Sequence, residues 1–341
     1  MIEFNRKLEL LGILYKAKKI NGEYFSEGFE TCDVEEQQFL NTYLGLLLIN
    51  HKTEGKIPLS KKEEELLILF FNFGRIKNND IPRFIFRYDS FERARQTIQE
   101  KCIQMSSNST FNDPFEGVLH ADYASAKDAD IVEFYMARKL PMAEFVNLIN
   151  DLKDNKKRQL LVEGMKNNHI KNITAAGIFC CSEINDSIPM WSHYARSHSG
   201  VCLEYDILKD FRFFDFVNKV EYTEYYPTKV SLEDALNDFK NSLLKISLMT
   251  KADIWKNEKE LRLIKLESAD KKININPDCL KSIIFGMRCN SENKGKIIND
   301  MLEKGYDKNT EIQKAEKVEN EYKIEIKKVG VLGDHIQELI K

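Results

Sequence analysis

Residues 83–106 read RFIFRYDSFERARQTIQEKCIQMS, and this stretch sets the fold class. Residues 83–88 (RFIFRY) alternate like a strand, just after Pro82. Asp89 and Ser90 then supply a cap for a helix over Phe91–Glu100, because their short polar side chains accept from the free N–H groups of a first helical turn. Residues 102–106 form a second short strand before a polar loop. Strand, helix and strand in 24 residues are the opening of a compact domain that mixes both element types.

Upstream the periodicity changes to that of helices. Leu8, Leu11, Leu14 and Tyr15 recur at helical spacing, as do Phe39, Tyr43, Leu46 and Leu47. Residues 61–73 follow Ser60 as N-cap, with Glu63 placed to complete a capping box. Residues 1–80 hold no chemical motif and read as a helical accessory region suited to a protein partner. Downstream, residues 123–170 are mostly helical, with Phe134, Tyr135, Ala137 and Leu140 on one side. Strands follow at 178–182, 201–205 and 217–222, then a long helix over 232–255. Further strands read at 260–266, 280–286, 311–318 and 322–329, with a helix at 293–304. The expected architecture is α+β, with mixed, mostly antiparallel small sheets around a cleft. Residues 1–80 form a helical region, and residues 81–341 carry the site.

The chain has 341 residues, room for two domains. Its 51 basic and 54 acidic side chains leave a net charge of −3, so the average carries no footprint for nucleic acid or an anionic membrane. No apolar run reaches the roughly 18 residues of a membrane span. Charges interrupt the N-terminal apolar residues, unlike a secretion signal. Seven cysteines without a Cys-x-x-Cys spacing read as reduced thiols. A soluble cytoplasmic protein is expected.

Three separated segments hold the chemistry-bearing residues. Residues 111–116 (FNDPFE) favour a tight turn, since Pro114 forces Asp113 out of the helical region. That turn is either a corner pinned by two phenylalanines or a rigid loop presenting Asn112, Asp113 and Glu116, with Ser106, Ser107 and Ser109 just upstream. Residues 190–200 concentrate Trp191, His193, Tyr194 and His198 before Gly200. On a helix started by Pro189, Trp191 and Tyr194 share a face and His193 points elsewhere. A buried corner accounts for the two large rings better than for the histidines. Residues 251–262 read K-x-x-x-W-x-x-E-x-E-x-R. Lys251 and Trp255 share a helix face, and Glu258, Glu260 and Arg262 share a strand face, about 7 Å between neighbours. Leu261 and Leu263 face the core. Two carboxylates that close repel, so Arg262 can hold one ionised while the other rises in pKa, which suits acid–base or oxocarbenium-stabilising work. The alternative is a solvated face with an ordinary ion pair.

Taken together, the FNDPFE loop, the strand Phe179-Cys180-Cys181-Ser182, the MWSHYA helix, the 251–262 segment and Phe285-Gly286 resemble a bacterial and phage family of unknown function. The resemblance covers residues 84–329 and implies a place among mobile elements or antiviral defence. A weaker similarity is to ADP-ribosyltransferases, which bind NAD in a cleft between two small sheets. Their early strand carries Arg or His, a later strand a serine, and a late strand Glu-x-Glu. That similarity implies Glu260 as catalytic glutamate and Glu258 as the group that orients or deprotonates an acceptor, with Arg262 beside them. It implies Arg87, next to Tyr88, against phosphate or ribose with Ser107 nearby, and Tyr194 or Trp191 as a stacking wall. Asn112, Asp113, Glu116, His193, Lys251 and Trp255 complete the expected cofactor-binding set. This chain departs from that layout in the short gap from Arg87 to Ser107, and it has no G-x-G-x-x-G or Walker loop.

The leading expectation is therefore an NAD-dependent ADP-ribosyltransferase-like enzyme acting on a macromolecule, protein or nucleic acid. A ligand-sensing or partner-binding module without catalysis is the second reading. A metal-dependent hydrolase or nuclease using Asp113, Glu116 and His193 is the third. A single site requires Glu260, Arg262, Trp191 and Asn112 to face one cleft.

Overall fold

The computed structural model describes residues 3–16, 18–20, 23–25, 28, 31–53, 58–118, 121–136, 141–226, 230–231 and 243–335. The front of the chain holds α1 (Phe4–Tyr15), β1 (Lys18–Ile20), β2 (Glu23–Phe25), α2 (Val34–Thr53) and α3 (Lys61–Lys77). The middle runs β3 (Phe84–Asp89), α4 (Phe91–Glu100), β4 (Cys102–Gln104), β5 (Ala121–Asp122), α5 (Asp128–Met136), α6 (Met142–Asp151), α7 (Asn155–Ala175), β6 (Gly177–Ser182), α8 (Ile188–His193) and β7 (Val201–Asp206). Then come β8 (Asn218–Lys219), β9 (Glu221–Thr223), β10 (Val230–Ser231), α9 (Leu243–Met249), β11 (Thr250–Ala252), β12 (Glu260–Lys265) and β13 (Lys272–Asn274). The chain closes through β14 (Leu280–Phe285), α10 (Ser291–Glu303), β15 (Glu311–Lys317) and β16 (Ile324–Val331).

The architecture is α+β, as the patterning indicates. Instead of several small sheets alone, an eight-stranded sheet dominates, in the order β16-β15-β14-β7-β3-β6-β12-β8, with small two-stranded sheets beside it. Its pairings are antiparallel except β14–β15, which α10 joins by a crossover. The opening stretch folds as read: Ser90 Oγ accepts from Arg93 N at 3.3 Å, and Ala94 and Ile98, four apart, bury one face of α4. However, β4 leaves the main sheet to pair with β13.

One face of the sheet, with Ile85, Leu203, Leu261, Leu263 and Ile283, packs with Ile98 of α4 and Ile297, Ile298 and Met301 of α10. On the other face Met190 and Trp191 of α8 cluster with Tyr88, Cys202 and Ile284. The helical front has its own core of Leu10, Leu11, Leu40, Tyr43 and Phe73, which also takes in Leu208. The capping box of α3 forms in full, with Ser60 N donating to Glu63 Oε2 at 2.7 Å.

Three expected elements change. The 217–222 strand divides into β8, on the sheet edge, and β9, which pairs with β11. The helix expected over 232–255 ends at Met249, after which the chain extends as β11 and tightens into a 3-10 turn, Asp253–Glu258. Tertiary pairing with β9 outweighs local helix propensity there. Residues 232–242 of that helix, and Ala137 and Leu140, lie outside the described residues. No helix among the described residues is long and apolar enough to cross a membrane.

Candidate active site

A cleft opens where β3 and β6 part. β3 pairs with β7 along all six of its residues but with β6 only at Phe86↔Ser182. Beyond that point Ser106 takes the free edge of β6, exchanging 2.8 Å backbone bonds with Ile178. The cavity in this wedge holds about 510 Å³, within the roughly 300–1,000 Å³ usual for small-molecule sites.

β12 pairs with β6 along its whole length, setting Glu260 opposite Ser182 and Arg262 opposite Cys180. Cross-strand partners project to one face, so Glu260 and Arg262 point into the wedge while Leu261 and Leu263 are fully buried on the other side. Glu258 precedes the strand. It ends the 3-10 turn, and Lys259, at φ +44°, reverses the backbone between the two glutamates. This left-handed residue brings Glu258 beside Glu260. Lys251 likewise reaches the site from β11 and lies with its ammonium 5.2 Å over the Trp255 ring, although the two share no helix.

The FNDPFE loop arrives from the far side. Asp113 Oδ1 accepts from Phe115 N at 2.9 Å and Gly117 N donates to Ser247 O at 3.0 Å, which fixes the turn and aims Glu116 inward. Phe111 lies 4.7 Å from the Arg262 guanidinium.

These residues form one buried network. Lys251 Nζ donates to Glu258 Oε2 at 2.6 Å and Glu260 Oε2 at 3.0 Å, and pairs with Glu116 Oε1 at 3.3 Å. Arg262 grips Glu260 with Nε at 2.7 Å and Nη2 at 2.9 Å, contacts Glu116 Oε2, and donates Nη1 to Leu248 O at 2.7 Å. Tyr194 Oη donates to Glu258 Oε1 at 2.8 Å and accepts from Asn112 Nδ2 at 3.2 Å. Three carboxylates face two cations, leaving one formal negative charge in excess.

Burial pushes the Glu260 carboxyl up, but Arg262 and then Lys251 outweigh it and hold it down at about 2. Burial also opposes the charge on Lys251, yet Glu260, Glu116 and Glu258 raise its pKa above the usual lysine value. Glu116 goes the other way: burial raises its pKa more than Arg262 and Lys251 lower it. The raised carboxyl, expected within the Glu258–Glu260 pair, is instead Glu116, brought in by the FNDPFE loop. Tyr194 is raised by burial and by Glu258, so its hydroxyl stays a donor at neutral pH. The Cys180 thiol, pushed up to about 12 by burial and Glu260, stays protonated.

Of the residues singled out in the sequence, the cavity wall includes Arg87, Tyr88, Asn112, Glu116, His193, Tyr194, Lys251, Glu258, Glu260 and Arg262. Arg87 leans toward the opposite sheet face, 5.4 Å from the Phe179 ring, and its guanidinium crosses the gap to the Cys180 carbonyl while pairing with Asp89 at 3.3 Å.

Four expected residues lie elsewhere. Trp191 is fully buried, donates Nε1 to Asn185 O at 2.8 Å, and meets Tyr88 edge-on at 5.2 Å; it supports the wall without facing the cleft. Ser107 caps a short 3-10 turn through Ser109 N. Asp113 is consumed in its own turn, and Trp255 backs Lys251. The requirement that Trp191 share the cleft with Glu260, Arg262 and Asn112 thus fails for Trp191 alone. His193 lines the cavity, contrary to the simple helix-face argument, because α8 ends at that residue.

The sequence reading missed Ser182, whose Oγ donates to Glu258 O at 2.6 Å and accepts from Ile184 N at 3.1 Å on the strand between those of Arg87 and Glu260. It also missed Tyr222, which accepts from Glu260 N at 2.8 Å, and the mouth residues Arg93 and Arg196. The unbroken run FCCS was the available signal for Ser182; nothing local marks Arg196. Among the described residues no group of three His, Cys, Asp or Glu side chains is placed to hold a metal ion.

Residues 190–263 match the family described as Protein of unknown function (DUF2971). That range holds the end of α8 and the 251–262 segment but not the FNDPFE loop, and is shorter than the span of the motif resemblance. No curated protein and no solved structure matches the chain.

Proposed function

We propose that the wedge between β3 and β6 binds NAD and that the protein is an ADP-ribosyltransferase-like enzyme. The observation that carries this reading is the adjacency of β3, β6 and β12. They set Phe86, Ser182 and Glu260 in one cross-strand row, and the Arg87 guanidinium crosses the strand gap to line the same cavity as Glu260, which Arg262 and Lys251 hold ionised. Ser182, rather than Ser107, fills the serine position of that layout. Breaking a bond between nicotinamide and ribose develops positive charge on the sugar. A fixed, water-poor carboxylate stabilises such charge without reorganisation. Glu260 is placed for that role, while Arg262 and Lys251 keep it deprotonated. Glu258, hydrogen-bonded to Tyr194, is placed to orient an acceptor, and Arg87 to meet phosphate or ribose. The motif resemblance extends the reading to a macromolecular acceptor, protein or nucleic acid, and to antiviral defence in the cytoplasm.

The test is incubation of the pure protein with labelled NAD, with nicotinamide release followed by mass spectrometry. Glu260→Gln is expected to lower turnover by about 10²–10³. Unchanged turnover in that variant would remove Glu260 from the mechanism. A second reading, a ligand-sensing module, draws on the fact that the Lys251 ammonium is already engaged by three carboxylates, two of them through hydrogen bonds. Saturable NAD binding with no product in any acceptor mixture would favour it.

A further inference from the structure

Behind the Glu116–Lys251 pair lies a second cavity of about 200 Å³. Both residues line both cavities, so the two stand back to back across one ion pair. The smaller one is below the size of a drug-like site and has room for a single side chain.

Its contents favour a cation. Phe115 and Tyr226 form an aromatic lip, rings 6.2 Å apart and edge-on, and are 64% and 52% exposed. Ring faces attract guanidinium and ammonium groups. Asp113, Glu116 and Glu224 line the cavity against Lys251, whose charge is already shared among Glu116, Glu258 and Glu260. That surplus of carboxylates repels phosphate, which argues against a nucleic-acid ligand. Ser247 also lines the cavity; it is 2% exposed and its Oγ has no hydrogen-bond partner among the described residues. A buried hydroxyl in that state is stabilised by a ligand N–H.

We propose that this second cavity binds the guanidinium or ammonium group of a basic side chain from a protein. The cation sits against the Phe115–Tyr226 lip, with its N–H groups toward Ser247 and the carboxylates. The proposal stands apart from the NAD reading, since it concerns the other side of the Glu116–Lys251 wall.

Isothermal titration of the full chain with butylguanidine, and with the uncharged butylurea as its isostere, tests it. Saturable one-site binding of the guanidine is expected, at least about tenfold tighter than the urea. Tyr226→Ala and Glu224→Gln, both at exposed positions, are each expected to weaken it roughly two- to fivefold. Absent saturation, equal affinities for the two probes, or an unchanged affinity in both Tyr226→Ala and Glu224→Gln would each overturn the proposal. So would a loss of affinity in Asp89→Asn instead, which would place the cation in the larger cavity. Binding of oligothymidylate that weakens in Tyr226→Ala would assign the lip to nucleic acid and overturn it as well.

Discussion

Lys251 is 4% exposed and its ammonium lies within ion-pair distance of three carboxylates, so it is the residue on which the site's electrostatics turn. Removing one partner of a buried ionic network leaves the others uncompensated, at a typical cost of about 3–5 kcal/mol. Lys251→Met is expected to lose that much stability at pH 7 by urea denaturation. The pH dependence should change as well. In the wild type Glu260 is depressed to about 2, so its contribution is complete above the ordinary glutamate range and fades as pH falls toward 2. Lys251 lowers the pKa of both Glu260 and Glu116, so without it these two carboxyls bind protons more readily in the folded state than in the wild type, and the variant's deficit should shrink as pH falls from 7 toward 4. A variant whose deficit stays constant over that range would show that Lys251 acts through packing alone. Read as residues, Glu258, Glu260 and Arg262 were recognisable as a cluster. That Glu116, more than 130 positions away, would be the carboxyl with the raised pKa was not.

At the scale of elements the decisive event is the parting of β3 from β6. β7 holds β3 on its other side, and Gly200 lets it do so. A Cβ at Gly200 would stand 2.2 Å from the Asp89 carbonyl oxygen and 3.0 Å from that of Ala195. A glycine after a helical run ordinarily ends the helix, but α8 has already ended at His193. Arg196, Ser197 and His198 follow in three consecutive left-handed conformations, each disfavoured for a side chain with a Cβ. Gly200 therefore serves close approach of the backbone. Gly200→Ala should cost about 1–3 kcal/mol through forced displacement of β7, seen as a lower urea midpoint with an unchanged m-value. A neutral result would mean that the turn at residues 196–198 absorbs the shift.

Across the whole molecule, the helical front and the α+β body share a core. Leu208, from the body, is 1% exposed inside the cluster formed by α1, α2 and α3. Arg75 of α3 donates to Val217 O at 2.6 Å and Asn218 Oδ1 at 2.7 Å, next to the β8 edge strand. The division at residue 80 is legible as a change of periodicity, yet periodicity does not reveal how firmly the parts are joined. A chain beginning at Ile81 would expose Leu208 and the apolar side chains around it. Reduced thermal stability and self-association by light scattering are expected. A monomeric truncation that melts like the full chain would make residues 1–80 a separable module.

Local signals were enough for the α4 and α3 caps, for most strands and for the three segments of the site, because caps, alternation and turn residues act within a few positions. Tertiary structure alone decided the rest. It turned residues 250–255 from the expected helix into β11 and the start of a 3-10 turn, because β9 offered a pairing partner. It sent Trp191 into the core, where its ring is buried and its N–H finds the Asn185 carbonyl. It also opened the wedge beside residues 83–88: β6 bonds to Ser106 where it could have continued along β3, and no local pattern records which of two strand edges a segment will choose.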